Sequence, residues 1–292
     1  MRKVKIAAVC TLICFLCSSW GYFAHYRINR LAVVTLPKAM RGFYQSNIGY
    51  ITEHAISADK RRYVDSSEIP HHYFNADRYG KQPFKTIPRK WKDAVARYSK
   101  DTILKHGTLP WTIQQNYYWL VKAFKEHDTS AILRTSANLA HYIADAHVPL
   151  HLTLNHDGQL TNQTGIHSLW ERRLPELFSY KYNLTGKAHY IDNPLTAAFR
   201  ICQSSYNSAD TVLRLERLLN KRFPPGKKHA MVMRGNNRVK DYSIEYCGAY
   251  HQMLKGMVER RMRGAIMETG SFWFSAWVDA GQPDLALLIK SK

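Results

Sequence analysis

The sequence predicts an all-α protein, folded as one compact multi-helix domain. Three observations carry that expectation. Apolar residues recur at helical spacing over most of the chain, alternating strand-like runs with hairpin turns are scarce, and no Gly/Ser/Pro-rich linker or fixed-period repeat divides it. In order, the first helical pattern covers residues 28–56 and is interrupted near Pro37. Residues 91–104, 113–124 and 132–146 repeat the 3.6-residue period. Residues 166–178 do so around a kink expected at Pro175, and 195–219 and 244–266 supply the last helices. Residues 69–88, with Pro70, Gly80, Pro83 and Pro88, read as a loop; the basic, Pro- and Gly-containing stretch 221–237 reads as another.

The N-terminus sets the compartment. Arg2, Lys3 and Lys5 precede an apolar run over 6–16, and Cys17, Ser18 and Ser19 provide small residues at a cleavage site. This is the pattern of a secretory signal peptide over 1–19, with an uncleaved anchor as the alternative that the short run disfavours. The expectation is an exported protein, periplasmic or extracellular, with a mature domain over 20–292 that begins at Trp20. Only Cys202 and Cys247 remain in it, either as one disulfide or as two buried thiols. Of the 42 basic residues three leave with the signal, so 39 basic against 22 acidic residues leave +17 on the mature domain. Such a charge favours a polyanionic partner, nucleic acid or an anionic membrane surface, over a merely basic solubilising coat only when a site supports it.

The site is written in the histidines, of which there are fourteen. His141 and Asp145 lie four apart, on one helical face with Leu133, Ala137 and Ala144. A buried imidazole and carboxylate so placed need a partner, met either by a hydrogen bond between them or by a metal ion. A second pair at the same spacing, His167 and Glu171, favours the metal, and His151 lies between the two. Imidazole and carboxylate donors without thiolate suit zinc in a catalytic role. His54, His71, His147 and His156 are assigned to supporting or surface positions.

Together with Trp20 directly behind the cleavage site, His25 five residues on, and Asp59 ahead of His72, these residues resemble the zinc-dependent phospholipase C and single-strand-type nuclease superfamily. The resemblance spans residues 20–171 and implies a helical fold of that type holding three zinc ions. One ion would take Asp59, His72, His141 and Asp145. A second would take the amine and carbonyl of Trp20 with His25, Asp145 bridging the pair. The third would take His151, His167 and Glu171. Asp65 is a rival to Asp59, and His71 to His72.

The resemblance also implies a mechanism: a water activated between metals held by Asp145 attacks phosphorus, with Arg62 binding the phosphate. The family's nucleases orient that Arg with an Asp where this chain has Asn75; Asp77 is the candidate substitute. Tyr73 and Phe74, with Asn75, are the expected substrate-binding residues, the rings as stacking platforms for a base. The expected activity is hydrolysis of single-stranded DNA or RNA by a monomer with no stable protein partner. The high basic charge and the Trp20-to-His25 spacing support it. Glu171 and the close His151-to-His167 spacing support the alternative, a phospholipase C acting on phospholipid head groups. A non-catalytic zinc- or nucleic-acid-binding protein is the third possibility.

Overall fold

The chain is built around a helix whose C-terminal half is almost wholly buried. This is α8 (Thr129–His147), and the computed structural model, which describes residues 22–289, places it against four other helices. These are α1 (Tyr22–Thr35), α7 (Leu109–Lys125), α9 (Pro194–Arg222) and α11 (Met257–Asp279). Asp128 starts α8, its carboxylate accepting from the Ala131 N–H at 2.9 Å, a cap worth about 1 kcal/mol. From Ser136 onward nearly every residue is buried, so the helix has a core all round rather than one apolar stripe.

Breaks between the helices follow backbone chemistry. Pro37 separates α1 from α2 (Lys38–Ser46), and Asn47 separates α2 from α3 (Ile48–Glu53). The short α4 (Ser57–Arg61) leads into a 3-10 segment, Ser66–His72. The predicted 91–104 helix is two, α5 (Trp91–Tyr98) and α6 (Lys100–His106), divided at Ser99, whose φ is +67°. The predicted 244–266 helix is likewise two. After α10 (Ile244–Met253) the chain turns at Lys255 and Gly256, both with positive φ, before α11 runs on to Asp279.

One expectation is corrected outright. Residues 221–237 are not simply a loop: β1 (His229–Arg234) pairs antiparallel with β2 (Asn237–Tyr242), Val232 opposite Val239, across a two-residue turn at Gly235–Asn236. Asp241 of β2 accepts from both terminal nitrogens of the buried Arg172, at 3.0 to 3.1 Å, which ties this hairpin to the helices.

The kink expected at Pro175 is a wide turn just before it. Ile166–Ser168 continues into a π-helical turn, Leu169–Arg173, and then into Leu174–Phe178. The Leu174 N–H donates to the Leu169 carbonyl, and Pro175 has no N–H to offer the next carbonyl.

The main core lies between α8, α7 and α11. Tyr44 stacks on Trp273 at 4.8 Å between ring centres, and both polar ends meet Ser136. Truncating Trp273 to Ala would cost about 3–5 kcal/mol. A second cluster, with Trp170, Val212, Tyr246 and Tyr250, joins the π turn to α9 and α10. Among the described residues no helix is long and apolar enough to cross a membrane. The signal segment and Trp20 lie outside the described residues.

Candidate metal centre

Three of the rings that reach the centre are held from behind by a backbone carbonyl. His141 and Asp145, one turn apart on α8, point the same way. The Nδ1 of His141 donates to the Ala55 carbonyl at 2.8 Å, and that of His167 to the His156 carbonyl at 3.1 Å. The Nδ1 of His151 donates to the His72 carbonyl. An Nδ1–H fixed on a carbonyl leaves the Nε2 lone pair to face inward. His72 is turned the other way: Nδ1 faces inward and Nε2 faces Glu68 Oε1 at 3.4 Å.

These atoms converge at the base of a cleft of about 570 Å³. His72 Nδ1 lies 3.0 Å from Asp145 Oδ2 and 3.1 Å from His141 Nε2, with Asp59 Oδ1 3.8 Å from both rings. Asp145 turns its other oxygen to His25 Nε2 at 3.4 Å. Glu171, carried on the π turn, reaches His167 Nε2 at 2.6 Å, His151 Nε2 at 3.4 Å and His25 Nε2 at 3.2 Å. Among the described residues three donor groups result, each with ligand atoms within 4.8 Å of one another: His25, His141 and Asp145; Asp59, His72 and His141; His151, His167 and Glu171.

The donor set fits a divalent cation. His141 Nε2 and His72 Nδ1 are lone pairs facing each other among carboxylate oxygens, so without a proton or a cation the cluster is all acceptors. His151, His167 and Glu171 repeat that pattern. Protons are the other way to satisfy it. Burial alone would favour neutral His72 and His141, but Asp145 and its neighbouring acids outweigh it and raise both. Burial would raise Asp145 and Glu171, yet the surrounding imidazoles hold both well below the usual carboxylate range.

Other expected residues fall into place unevenly. Arg62 lines the cleft, its Nη2 2.9 Å from Asp59 Oδ1, so Asp59 is its carboxylate partner and Asp77 is not. Asp77 instead accepts from the Thr153 hydroxyl at 2.9 Å and the Leu154 N–H at 3.1 Å, pinning the loop after His151. Asp65 is exposed and caps the 3-10 segment through the Ser67 N–H at 2.9 Å, away from the cluster that holds Asp59. His71 points out of the cleft.

Tyr73 and Asn75 line the cleft. Gly107, at φ +94°, allows the tight approach of the Tyr73 backbone, since a Cβ there would strike the Tyr73 carbonyl. Phe74 is corrected: its ring is fully buried among Tyr79, Phe84, Trp111 and Phe199, so it offers no face to a ligand. Alternating direction along an extended stretch sends Tyr73 out and Phe74 in.

Glu68 was missed. Buried at 7% exposure, it accepts from Arg61 Nε at 3.0 Å and from the Tyr142 hydroxyl while facing His72. Glu68 and His72 are themselves four apart, the same acid–imidazole spacing in reverse order. Asp157 was missed too; it lines the cleft and accepts from the Gly165 and His167 N–H groups at 3.0 and 3.2 Å, fixing the start of the His167 helix.

No family profile matches the chain. Against curated proteins, it is 24% identical over 210 residues to Nuclease S1 of Aspergillus oryzae, a span that covers 65% of this chain and 67% of that protein.

Proposed function

We propose that the chain is an exported zinc-dependent phosphodiesterase that hydrolyses single-stranded nucleic acid at a three-zinc centre. The observation that carries the metal is the pair of opposed imidazole nitrogens, His141 Nε2 and His72 Nδ1, 3.1 Å apart among the oxygens of Asp145 and Asp59. The similarity to a nuclease supports the substrate. When bound, zinc supplies a Lewis acid that lowers the pKa of water towards about 7 and offsets charge on a phosphoryl group.

The chain's own residues do the rest. Asp145, with one oxygen toward His72 and His141 and the other toward His25, would serve as a ligand on both sides. Arg62, anchored by Asp59 at one nitrogen, keeps the rest of its guanidinium for a non-bridging phosphoryl oxygen. Tyr73 supplies a ring face for one base and Asn75 an amide at the cleft wall. Export with cleavage before Trp20 would free an α-amine as a further donor.

One observation favours a second reading. Glu171, where the nucleases of the resembled superfamily carry Asp, leans toward a phospholipase C. Purified protein assayed on single-stranded DNA and RNA, duplex DNA and phosphatidylcholine, with and without chelator, decides. Chelator-sensitive cleavage of single strands, weakening steeply with salt, is expected. Turnover of phosphatidylcholine with no cleavage of single strands selects the second reading, and activity that survives complete zinc removal overturns both.

A further inference from the structure

The 3-10 segment Ser66–His72 is a wall between two cavities. Ile69 and His72 line the catalytic cleft on one side, and Glu68 and His71 line a groove of about 550 Å³ on the other. The consecutive arginines divide in the same way, Arg62 into the cleft and Arg61 into the groove. The groove runs over the outer faces of α5, α7 and α8. A further hollow of about 400 Å³ adjoins it, with Asn116, Trp119 and Asn138 shared by the two.

Its surface is unlike an ordinary solvated helix face. Tyr118 and Trp119 are each 53% exposed and Trp91 is 37% exposed, although the core beneath α7 is complete without them. Large aromatics gathered in one groove mark a place where something docks. Amide side chains, Gln115 and Asn138 among them, line the same groove. Flat apolar faces alongside amide donors and acceptors suit a planar ring with a hydrogen-bonding edge.

Charge narrows the chemistry further. Arg61 is committed to Glu68, Asn138 and Tyr142, and in the outer hollow Lys122 and Arg134 share space with Glu126 and Asp128. The groove is therefore no track for a row of phosphates. It suits bases rather than backbone, and it borders the cleft in which a phosphodiester would be cut.

We infer that this groove binds bases of a single-stranded nucleic acid that lie outside the bond being cut, stacking them on Trp119, Tyr118 and Trp91. The inference rests on the nuclease reading of the catalytic cleft. Stacking tolerates any base and is weakly dependent on salt, unlike phosphate contacts.

The test separates the groove from the chemistry. Zinc-loaded wild type, Trp119→Ala, Trp119→Phe and Tyr118→Ala are compared on bis(p-nitrophenyl) phosphate and on oligothymidylates of increasing length. Tryptophan fluorescence of chelator-treated protein is titrated with the same oligonucleotides. Trp119→Ala is expected to raise KM for long strands about tenfold, at any salt, with hydrolysis of the small diester unchanged. Trp119→Phe should recover most of that loss, and quenching should grow with strand length. Long-strand KM unchanged in both alanine variants overturns the inference, as does quenching by neutral oligosaccharides but not by oligothymidylate. A wild type that hydrolyses neither diester nor strand refutes the nuclease reading instead, and length-dependent quenching still reports on the groove.

Discussion

Glu68 Oε1 stands 3.4 Å from His72 Nε2, on the face of the imidazole opposite Asp145. That contact fixes which nitrogen of His72 faces the centre. A carboxylate this close favours the proton on Nε2, which leaves Nδ1 as the nitrogen presented to the centre. Arg61 and Tyr142 keep Glu68 in position.

Glu68→Ala should therefore weaken zinc binding about 10–100-fold at the group containing His72, while the His151, His167 and Glu171 group keeps its ion. Glu68→Gln, which retains an acceptor oxygen, should lose less. Competition titration with a chromogenic chelator measures both. Wild-type affinity in Glu68→Ala would remove Glu68 from any positioning role.

In the metal-free protein the centre itself should contribute most to stability in mildly acidic solution, whereas buried His147, pushed down to about 3 by its burial, opposes it there. Asp145, Glu171 and Glu68 sit below their usual values, the first two despite full burial. Each adds stability above an unfolded pKa of about 4, lost as pH falls through the lower folded value. His72, His141 and His167 sit above theirs, because facing carboxylates outweigh their burial. Each adds stability below about pH 6.5, lost as pH rises through the folded value. Both sets contribute between about pH 4.5 and 6.5. The rise in Tm on adding zinc should be smallest in that window and grow as pH rises through neutrality, as the cation replaces the protons. A zinc-induced rise that does not change with pH would contradict this.

Cys202 and Cys247 are free thiols, fully buried in two different clusters, so the disulfide left open by the sequence does not form. Burial pushes both up to about 12. The folded protein should react negligibly with a thiol reagent, and the denatured mature chain should titrate two thiols without prior reduction. Reaction of either cysteine at the rate of an exposed thiol would show the cluster to be open.

Much of this was legible because helical periodicity and metal-ligand spacing reinforce each other. His141 and Asp145 share a face of α8 for the same geometric reason that Leu133 and Ala137 do. The hairpin was missed because its strands, HAMVMR and NRVKDY, carry few β-branched or aromatic residues and many charges. Its signal was the Gly235–Asn236 pair between them, a two-residue hairpin turn. Glu68 was missed for a different reason. Lying within an expected loop, its acid–imidazole spacing carried no helical phase, and only the folded 3-10 segment brings it behind His72. Phe74 was misjudged because neighbouring aromatics in a loop do not reveal which one faces the core.

The most exacting prediction concerns Trp20. If the signal is cut between Ser19 and Trp20, the new α-amine can serve as a ligand near His25. That amine has an unperturbed pKa of about 8, so a nearby dication can displace its proton close to neutral pH. A residue left in front of Trp20 converts the amine into a peptide nitrogen, a very poor ligand. Adding one Gly ahead of Trp20 thus tests the amine without touching the indole. The extended protein should fold with an unchanged circular dichroism spectrum, lose about one zinc of three, and lose most phosphodiester hydrolysis. Trp20→Phe with the correct terminus should keep its zinc, because the amine and carbonyl that bind belong to the backbone. Intact-protein mass and elemental analysis of the two variants read the outcome directly. Full zinc content in the Gly-extended form would show that His25, Asp145 and their neighbours complete the centre by themselves.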